Sequence, residues 1–296
     1  MQNKKAKPFV KWAGGKTRLL NSIENKFPYS RDDSFTYIEP FVGSGAVLFQ
    51  VLNYFPNLKN VVISDINFDL INTYKSIVSS LDELIDILNI WESEYHKVSL
   101  DEIKKKKYYY DKRKIFNDRK SSLTMQSALF LFLNRTCFNG LYRVNKSNKF
   151  NVPIGSYKKP SICNEDNLRL SSDLLKDVTI LNVDYAELYN YADNGSVFYL
   201  DPPYKPLNKT SNFNSYTREE FNDKEQVRLK EFCDLLNSNK HYWILSNSDV
   251  RTTELNDNFF DELYKTYRID RVSMRRNINS VANKRGKISE LLISNT

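Results

Sequence analysis

The chain has 296 residues, 41% hydrophobic and 27% charged, and its 44 Lys and Arg against 36 Asp and Glu give a net charge of +8. Such proportions suit one large folded domain with an insert, or two modest domains, and exclude an intrinsically disordered chain. The longest apolar run, residues 128–133, is too short to cross a bilayer, residues 1–5 lack an apolar signal segment, and the scattered Cys137, Cys163 and Cys233 with isolated His96 and His241 exclude a disulfide framework or a zinc site, so a cytoplasmic setting is expected.

In chain order, Trp12-Ala13-Gly14-Gly15-Lys16-Thr17 comes first and invites a phosphate-loop reading. It lacks the earlier glycine of that loop and no strand clearly precedes it, which sets aside ATPase or GTPase activity. Thr36-Tyr37-Ile38-Glu39-Pro40 reads as a short buried strand and Phe41-Val42-Gly43-Ser44-Gly45 as a tight turn. A helix opens at Ala46, and Val61-Val62-Ile63-Ser64-Asp65 is a second buried strand ending in an acid. This order is that of a nucleotide-binding α/β unit. A lone glycine turn is weak evidence, but an acid at the next strand end can accept from both ribose hydroxyls of an adenosine cofactor. The alternative is that Asp65 caps the following helix.

From Phe68 the pattern changes. Ile71, Tyr74, Ile77, Val78, Leu81, Leu84, Ile85 and Leu88 follow helical spacing, residues 104–120 form a charged helix and residues 127–133 a buried one. A loop-rich segment punctuated by Gly140, Pro153, Gly155 and Pro160 follows. Residues 67–159 are therefore read as an inserted, mainly helical domain, flanked by residues 1–66 and 160–296. From Asn134 to Pro160 there is no acid, while Arg135, Arg143, Lys146, Lys149, Lys158 and Lys159 are basic. A second acid-free stretch carries Arg271, Arg275, Arg276, Lys284, Arg285 and Lys287. Both suit contacts to a phosphate backbone, and both could equally be solvated loops. Strand-like runs return at residues 178–183, 196–200, 242–246 and 290–293, so the C-terminal half completes the sheet.

Asp201-Pro202-Pro203-Tyr204 directly follows one of these strands, at the carboxyl edge where open α/β sheets bind ligands. Two prolines fix the backbone and remove two donors, so the turn presents carbonyls and a carboxylate. An exocyclic amine has two hydrogens to give to such acceptors, and Tyr204 offers an aromatic face for a base. The bland alternative is a rigid surface turn.

Taken together these segments resemble the Dam-type, GATC-class site-specific DNA adenine-N6 methyltransferases, nearly end to end. The resemblance runs through Phe9-Val10-Lys11-Trp12-Ala13-Gly14-Gly15-Lys16, Ile38-Glu39-Pro40-Phe41-Val42-Gly43-Ser44-Gly45-Ala46 and Ser64-Asp65-Ile66-Asn67. The most distinctive match is Asn134-Arg135-Thr136-Cys137-Phe138-Asn139-Gly140-Leu141-Tyr142-Arg143-Val144-Asn145 with Phe150-Asn151-Val152-Pro153. Asp201-Pro202-Pro203-Tyr204 and Lys287-Ile288-Ser289-Glu290-Leu291-Leu292-Ile293 complete it.

The resemblance implies an α/β fold: a Rossmann-like S-adenosylmethionine-dependent methyltransferase sheet with an inserted, mainly helical DNA-recognition domain. It implies S-adenosyl-L-methionine as cofactor, contacted by Trp12 and Lys16, by Pro40 and Gly43 along the methionine portion, by Asp65 at the ribose, by Asp184 at the adenine amine and by Asp201. Catalysis falls to Asp201, Pro202 and Tyr204, on an adenine flipped out of double-stranded DNA. Lys11, Asn139, Leu141, Arg143 and Pro153 are the implied DNA contacts, with Arg143 suited to bidentate recognition of guanine or, alternatively, to a phosphate. No metal is implied. The resemblance leaves room for a separately encoded restriction endonuclease as partner. A cytosine-N4 or protein-amide methyltransferase would suit the same acceptor turn, and a catalytically silent DNA-binding regulator is the rival of another class.

Overall fold

The apolar runs of the sequence become the strands of one sheet in a computed structural model that describes residues 4–12, 14–204, 221–252, 256–275 and 287–296. In chain order these residues form α1 (Leu20–Glu24), β1 (Thr36–Glu39), α2 (Ala46–Tyr54), β2 (Asn60–Ser64), α3 (Phe68–Ser79), α4 (Leu81–Val98), α5 (Glu102–Asp118), α6 (Leu123–Thr136) and α7 (Glu165–Leu175). They continue with β3 (Val178–Leu181), β4 (Val197–Leu200), α8 (Asp223–Ser238), β5 (Tyr242–Ser248), α9 (Phe259–Leu263), β6 (Arg268–Arg275) and β7 (Lys287–Ser294). The sheet order is β3-β2-β1-β4-β5-β7-β6. The pairs along β3-β2-β1-β4-β5 are parallel, and β7 runs antiparallel between β5 and β6.

Period-two alternation along the strands builds a core on each face of the sheet. Tyr37, Ile63, Val197, Tyr199, Ile244 and Leu292 face one core, and Ile38, Val62, Phe198, Leu200, Trp243, Leu245 and Ile293 face the other. Such two-sided burial is why β4 reads as a continuous apolar run and why all four positions of β1 are buried. The chain order reverses between β1 and β4, so the loops beyond their carboxyl ends diverge and leave a crevice.

Five helices, α3 to α7, separate β2 from its neighbour β3. The first core runs without interruption from the sheet into Leu84, Leu88, Trp91 and Tyr95 of α4 and residues 128–133 of α6. Helix α6 is buried nearly all round because α3, α4 and α5 pack about it, which explains its apolar composition without a polar stripe. The helical spacing from residue 68 to 88 belongs to two helices, broken at Ser80, whose φ of −145° and ψ of 40° lie outside the helical region. Side-chain caps start several helices: Asn67 accepts the Leu70 N–H, Asp101 those of Ile103 and Lys104, Ser122 that of Met125, and Asn222 those of Lys224 and Glu225. Helices α1, α7, α8 and α9 and strand β6 are not among the expected elements. Strand β6 carries Arg268, Asp270 and Arg271 on an edge, so no apolar run marks it.

None of the described helices is long and apolar enough to cross a membrane. Leu133 is 1% exposed at the junction of helical layer and sheet. Leu133→Ala should cost about 2–5 kcal/mol of unfolding free energy, read as a lower urea midpoint at unchanged slope.

Candidate active site

The crevice between β1 and β4 is built from residues that end strands. Glu39 closes β1, buried Pro40 follows it, and Asp201 follows β4. After Pro40 the chain turns through Gly43 and Gly45, with φ of 48° and 75°, and enters α2. A Cβ on Gly43 would stand 3.1 Å from Trp12 Cδ1 at a φ that side chains rarely adopt, so glycine suits the close approach of the indole to this turn. Trp12 in turn stacks on Tyr142, with ring centroids 5.7 Å apart and planes 25° apart.

Asp65, at the end of β2, is fixed by two backbone donors. Its Oδ2 accepts the Gly43 N–H at 3.1 Å and its Oδ1 the Asn67 N–H at 2.9 Å. Asn67, not Asp65, caps α3, so the capping alternative for this acid is set aside. Burial outweighs these bonds and raises the Asp65 carboxyl to about 6. Asn182, beyond β3, donates to the Asp65 carbonyl at 2.7 Å and ties the two strand ends together. Asp184 lies two residues further on. It caps a short 3-10 helix through the Ala186 N–H and pairs with Arg228 at 2.6 Å, and those contacts lower its carboxyl against burial.

Lys16 is only 3% exposed. Its ammonium lies 2.7 Å from Asp201 Oδ1, donates to the Gly14 carbonyl at 2.7 Å and stands 4.5 Å from the centre of the Tyr204 ring. The motif read as a cofactor contact therefore also holds the acceptor turn. Burial raises Asp201 to about 6 although Lys16 pulls in the other direction. Tyr204 donates through its hydroxyl to Glu290 Oε2 at 2.8 Å, which anchors the turn on β7. Glu39 is 2% exposed, accepts from the Tyr37 hydroxyl at 2.7 Å, and is raised by burial and then by neighbouring Asp201. Trp12, Lys16, Glu39, Gly43, Tyr199 and Asp201 are among the walls of a cleft enclosing about 270 Å³ open to solvent. Among the described residues no group of His, Cys, Asp or Glu could hold a metal ion.

The second set of residues gathers on a hairpin beside this cleft. Bridges Cys137–Ile154 and Val144–Phe150 pair its arms, and Asn145 organises its tip by accepting from Ser147 and Lys149. Helix α5 carries the returning arm, where Tyr109 donates to the Val152 carbonyl at 2.9 Å and Asn117 to that of Phe150 at 3.0 Å. Asn139, Arg143 and Pro153 are exposed and Leu141 is half-buried. Arg143 donates from Nε to Asn151 Oδ1 at 2.7 Å. Lys11 reaches the Tyr157 hydroxyl at 3.1 Å, and its stem packs on Gly140 so closely that a Cβ there would stand 2.4 Å away. The basic positions Arg276, Lys284 and Arg285 lie outside the described residues.

One residue that carried no assigned role joins the two sets. Asn134, 2% exposed, accepts the Lys11 N–H at 2.8 Å and donates to the carbonyls of Lys11 at 2.8 Å and Gly140 at 3.0 Å. Arg135 adds a bond to the Phe9 carbonyl at 2.8 Å. The irregular segment that delivers Trp12 to the cleft is thus held by the base of the hairpin. Glu39, Asn134, Arg135 and Glu290 all sit inside the motifs quoted above, which is the signal that could have found them.

Residues 12–278 match the family described as D12 class N6 adenine-specific DNA methyltransferase. The chain is 47% identical over 294 residues to the Type II methyltransferase M.MjaIII of Methanocaldococcus jannaschii, covering 98% of this chain and 99% of that one. It is 35% identical to the Type II methyltransferase M1.LlaDCHI of Lactococcus lactis subsp. cremoris, covering 98% and 95% respectively. It is 37% identical to the DNA adenine methylase of Haemophilus influenzae, covering 97% and 93%.

Because the folded Asp65 carboxyl lies near 6 against 3.8 for the ordinary group, the native state binds a proton more tightly than the unfolded chain. This contribution to stability is complete below about 4 and is lost as pH rises through 6. Relative to Asp65→Asn, the parent should lose about 2–3 kcal/mol between pH 4 and 7, and parallel melting curves across that range would contradict the shift.

Proposed function

The chain belongs to the D12 class of N6 adenine-specific DNA methyltransferases, and from that premise we propose that it methylates adenine N6 in double-stranded DNA at the 201–204 turn, with S-adenosyl-L-methionine as donor. The observation that carries the assignment is the Asp201 carboxylate, held by buried Lys16 at the strand-order reversal and followed by two prolines. An amine entering there meets two acceptors: the carboxylate and the Pro202 carbonyl take its two hydrogens. Adenine N6 is a poor nucleophile because its lone pair is delocalised into the ring. Two acceptors draw density back onto nitrogen and fix the direction of the lone pair, so positioning and electrostatics supply the rate. With Oδ1 engaged by Lys16, Oδ2 is the oxygen assigned to the amine.

The residues present fit the cofactor. Gly43 under the Trp12 indole makes a cradle that any Cβ would fill, and the acids about the cleft suit a cationic ligand. When bound, S-adenosylmethionine supplies a methyl group activated on a sulfonium. Pro40 and Gly43 are assigned to its methionine portion, Asp65 to its ribose, and Asp184 to its adenine amine. Trp12 and Lys16 complete the wall, with Lys16 shared between cofactor and turn. The target base must leave the duplex because N6 is occupied in a base pair. Tyr204 is its stacking partner, on the ring face away from Lys16, and such stacking offsets roughly 1–3 kcal/mol of the flipping cost.

Residues 67–159 are assigned to DNA recognition and residues 1–66 and 160–296 to catalysis. Arg143 is the guanine reader: Asn151 engages its Nε and leaves the terminal nitrogens for O6 and N7. Asn139, Leu141 and Pro153 flank it on the hairpin, and Lys11 approaches from the cleft side. GATC is the site this arrangement is proposed to read. Two of the relatives are named type II methyltransferases, which supports a restriction-modification role with a separately encoded endonuclease.

Asp201→Ala should abolish methyl transfer to duplex DNA while DNA affinity persists; near-normal turnover would sink the assignment. Arg143→Ala should lose discrimination at one guanine by about 1–3 kcal/mol, scored by methylation-aware sequencing of a variant-site library. Uniform weakening over all sites would instead make Arg143 a phosphate contact.

A further inference from the structure

Pro202 and Pro203 have no N–H, so the acceptor turn cannot be tied down by its own amides at these positions. Side chains tie it instead. Gln226, in the first turns of α8, donates from Nε2 to the Pro203 carbonyl at 3.3 Å. Its Oε1 accepts from Asn247 Nδ2 at 3.2 Å, and Asn247 Oδ1 accepts the Ser248 backbone N–H at 2.8 Å. Gln226 and Asn247 are both 0% exposed. The series has one polarity. A backbone donor on β5 fixes which end of the Asn247 amide faces Gln226, and that fixes which end of the Gln226 amide faces the turn.

We propose that Gln226 and Asn247 are positioning residues for methyl transfer, forming a buried amide relay from β5 that pins the Pro203 carbonyl. This inference rests on the reading that the 201–204 turn holds the target amine. Both proline rings fix φ, and Asp201 is held by Lys16 and by the end of β4. Pro202 precedes a proline and is confined to extended ψ, so the orientation of the Pro203 peptide is the softer degree of freedom, and the relay restrains it. The Pro202 carbonyl, one peptide earlier, is then held between a fixed Asp201 and a fixed Pro203 peptide, as an acceptor of an incoming amine must be. Packing alone does not require this pair, since two apolar side chains of similar volume would fill the same space without polar atoms to satisfy.

The test uses the full chain with S-adenosylmethionine and duplex DNA carrying the target site. Gln226→Met keeps the volume and removes the donor. It should lower kcat about 10- to 100-fold while cofactor and DNA affinities stay at parental values. Gln226→Glu gives the relay a signature of its own. A protonated carboxyl can donate to the Pro203 carbonyl and accept from Asn247, whereas a carboxylate cannot donate. The variant should therefore approach parental kcat at low pH and fall away as pH rises, with an ionisation absent from the parent's profile. Lys16, Glu290 and Asp201, the charged groups about the turn, are common to both proteins and cancel in the comparison. Parental kcat in Gln226→Met, or a Gln226→Glu profile that follows the parent throughout, would overturn the relay. If Gln226→Met does not fold, the Gln226→Glu profile decides alone. Asp201→Ala separates the two ideas: its inactivity beside a full-rate Gln226→Met removes only the relay, and its activity removes the role of the turn itself.

Discussion

Lys16 and Asp201 form a buried ion pair between the segment before the first strand and the turn after the fourth, and the cleft is organised about it. Without the lysine, Asp201 would be a carboxylate pressed among Glu39, Tyr199 and Glu290, each of which opposes its ionisation or crowds it. Removing Asp201 would leave the Lys16 ammonium, 3% exposed, without its ion-pair partner, which is destabilising. The same ammonium covers one face of Tyr204, so a single cation orients both the acceptor and the aromatic surface of the turn. An arrangement that is expensive to maintain for stability alone is better explained by what it does to an amine.

The segment that brings Lys16 into place has little regular structure of its own. It depends on the end of α6, where Asn134 bonds both backbone groups of Lys11 and Arg135 holds Phe9. The Tyr142 ring then supports Trp12, and the Tyr142 hydroxyl donates to Asp69 at 2.7 Å, itself paired with Arg119. Residues assigned to the cofactor and residues assigned to DNA are therefore packed on one another, not merely adjacent. A continuous core from the sheet through α6 gives the hairpin a rigid base, which the proposed reading of base edges needs.

Much of this was legible in the residues. The strands β1, β2 and β4, the glycine turn and the acid at position 65 announce themselves because each is a local pattern: an apolar run, a turn residue, a charge at a strand end. The 201–204 turn is equally local, since two prolines fix φ at successive positions and remove two donors wherever it lies. Helices α7 and α8 and the edge strand β6 were less legible, because polar residues dominate their sequences; in α7 two of the four buried positions are serines, Ser171 and Ser172, which thins its apolar stripe to Leu168 and Leu175. The break between α3 and α4 was hidden for the opposite reason: the same core faces both helices, so their apolar spacing runs on across Ser80.

By itself, then, the sequence determined which chemical groups stand at strand ends and which stretches are basic, since those depend on neighbours along the chain. Only the tertiary structure decided what meets across it: Lys16 on Asp201, Asn134 on Lys11, Glu290 on Tyr204, and Gln226 between Asn247 and Pro203. The reason is physical. Those partners are brought together by a strand order that reverses at β1 and β4 and by helices that cross from β2 to β3. A hydrogen bond between such distant residues leaves no periodic trace in the order of the amino acids.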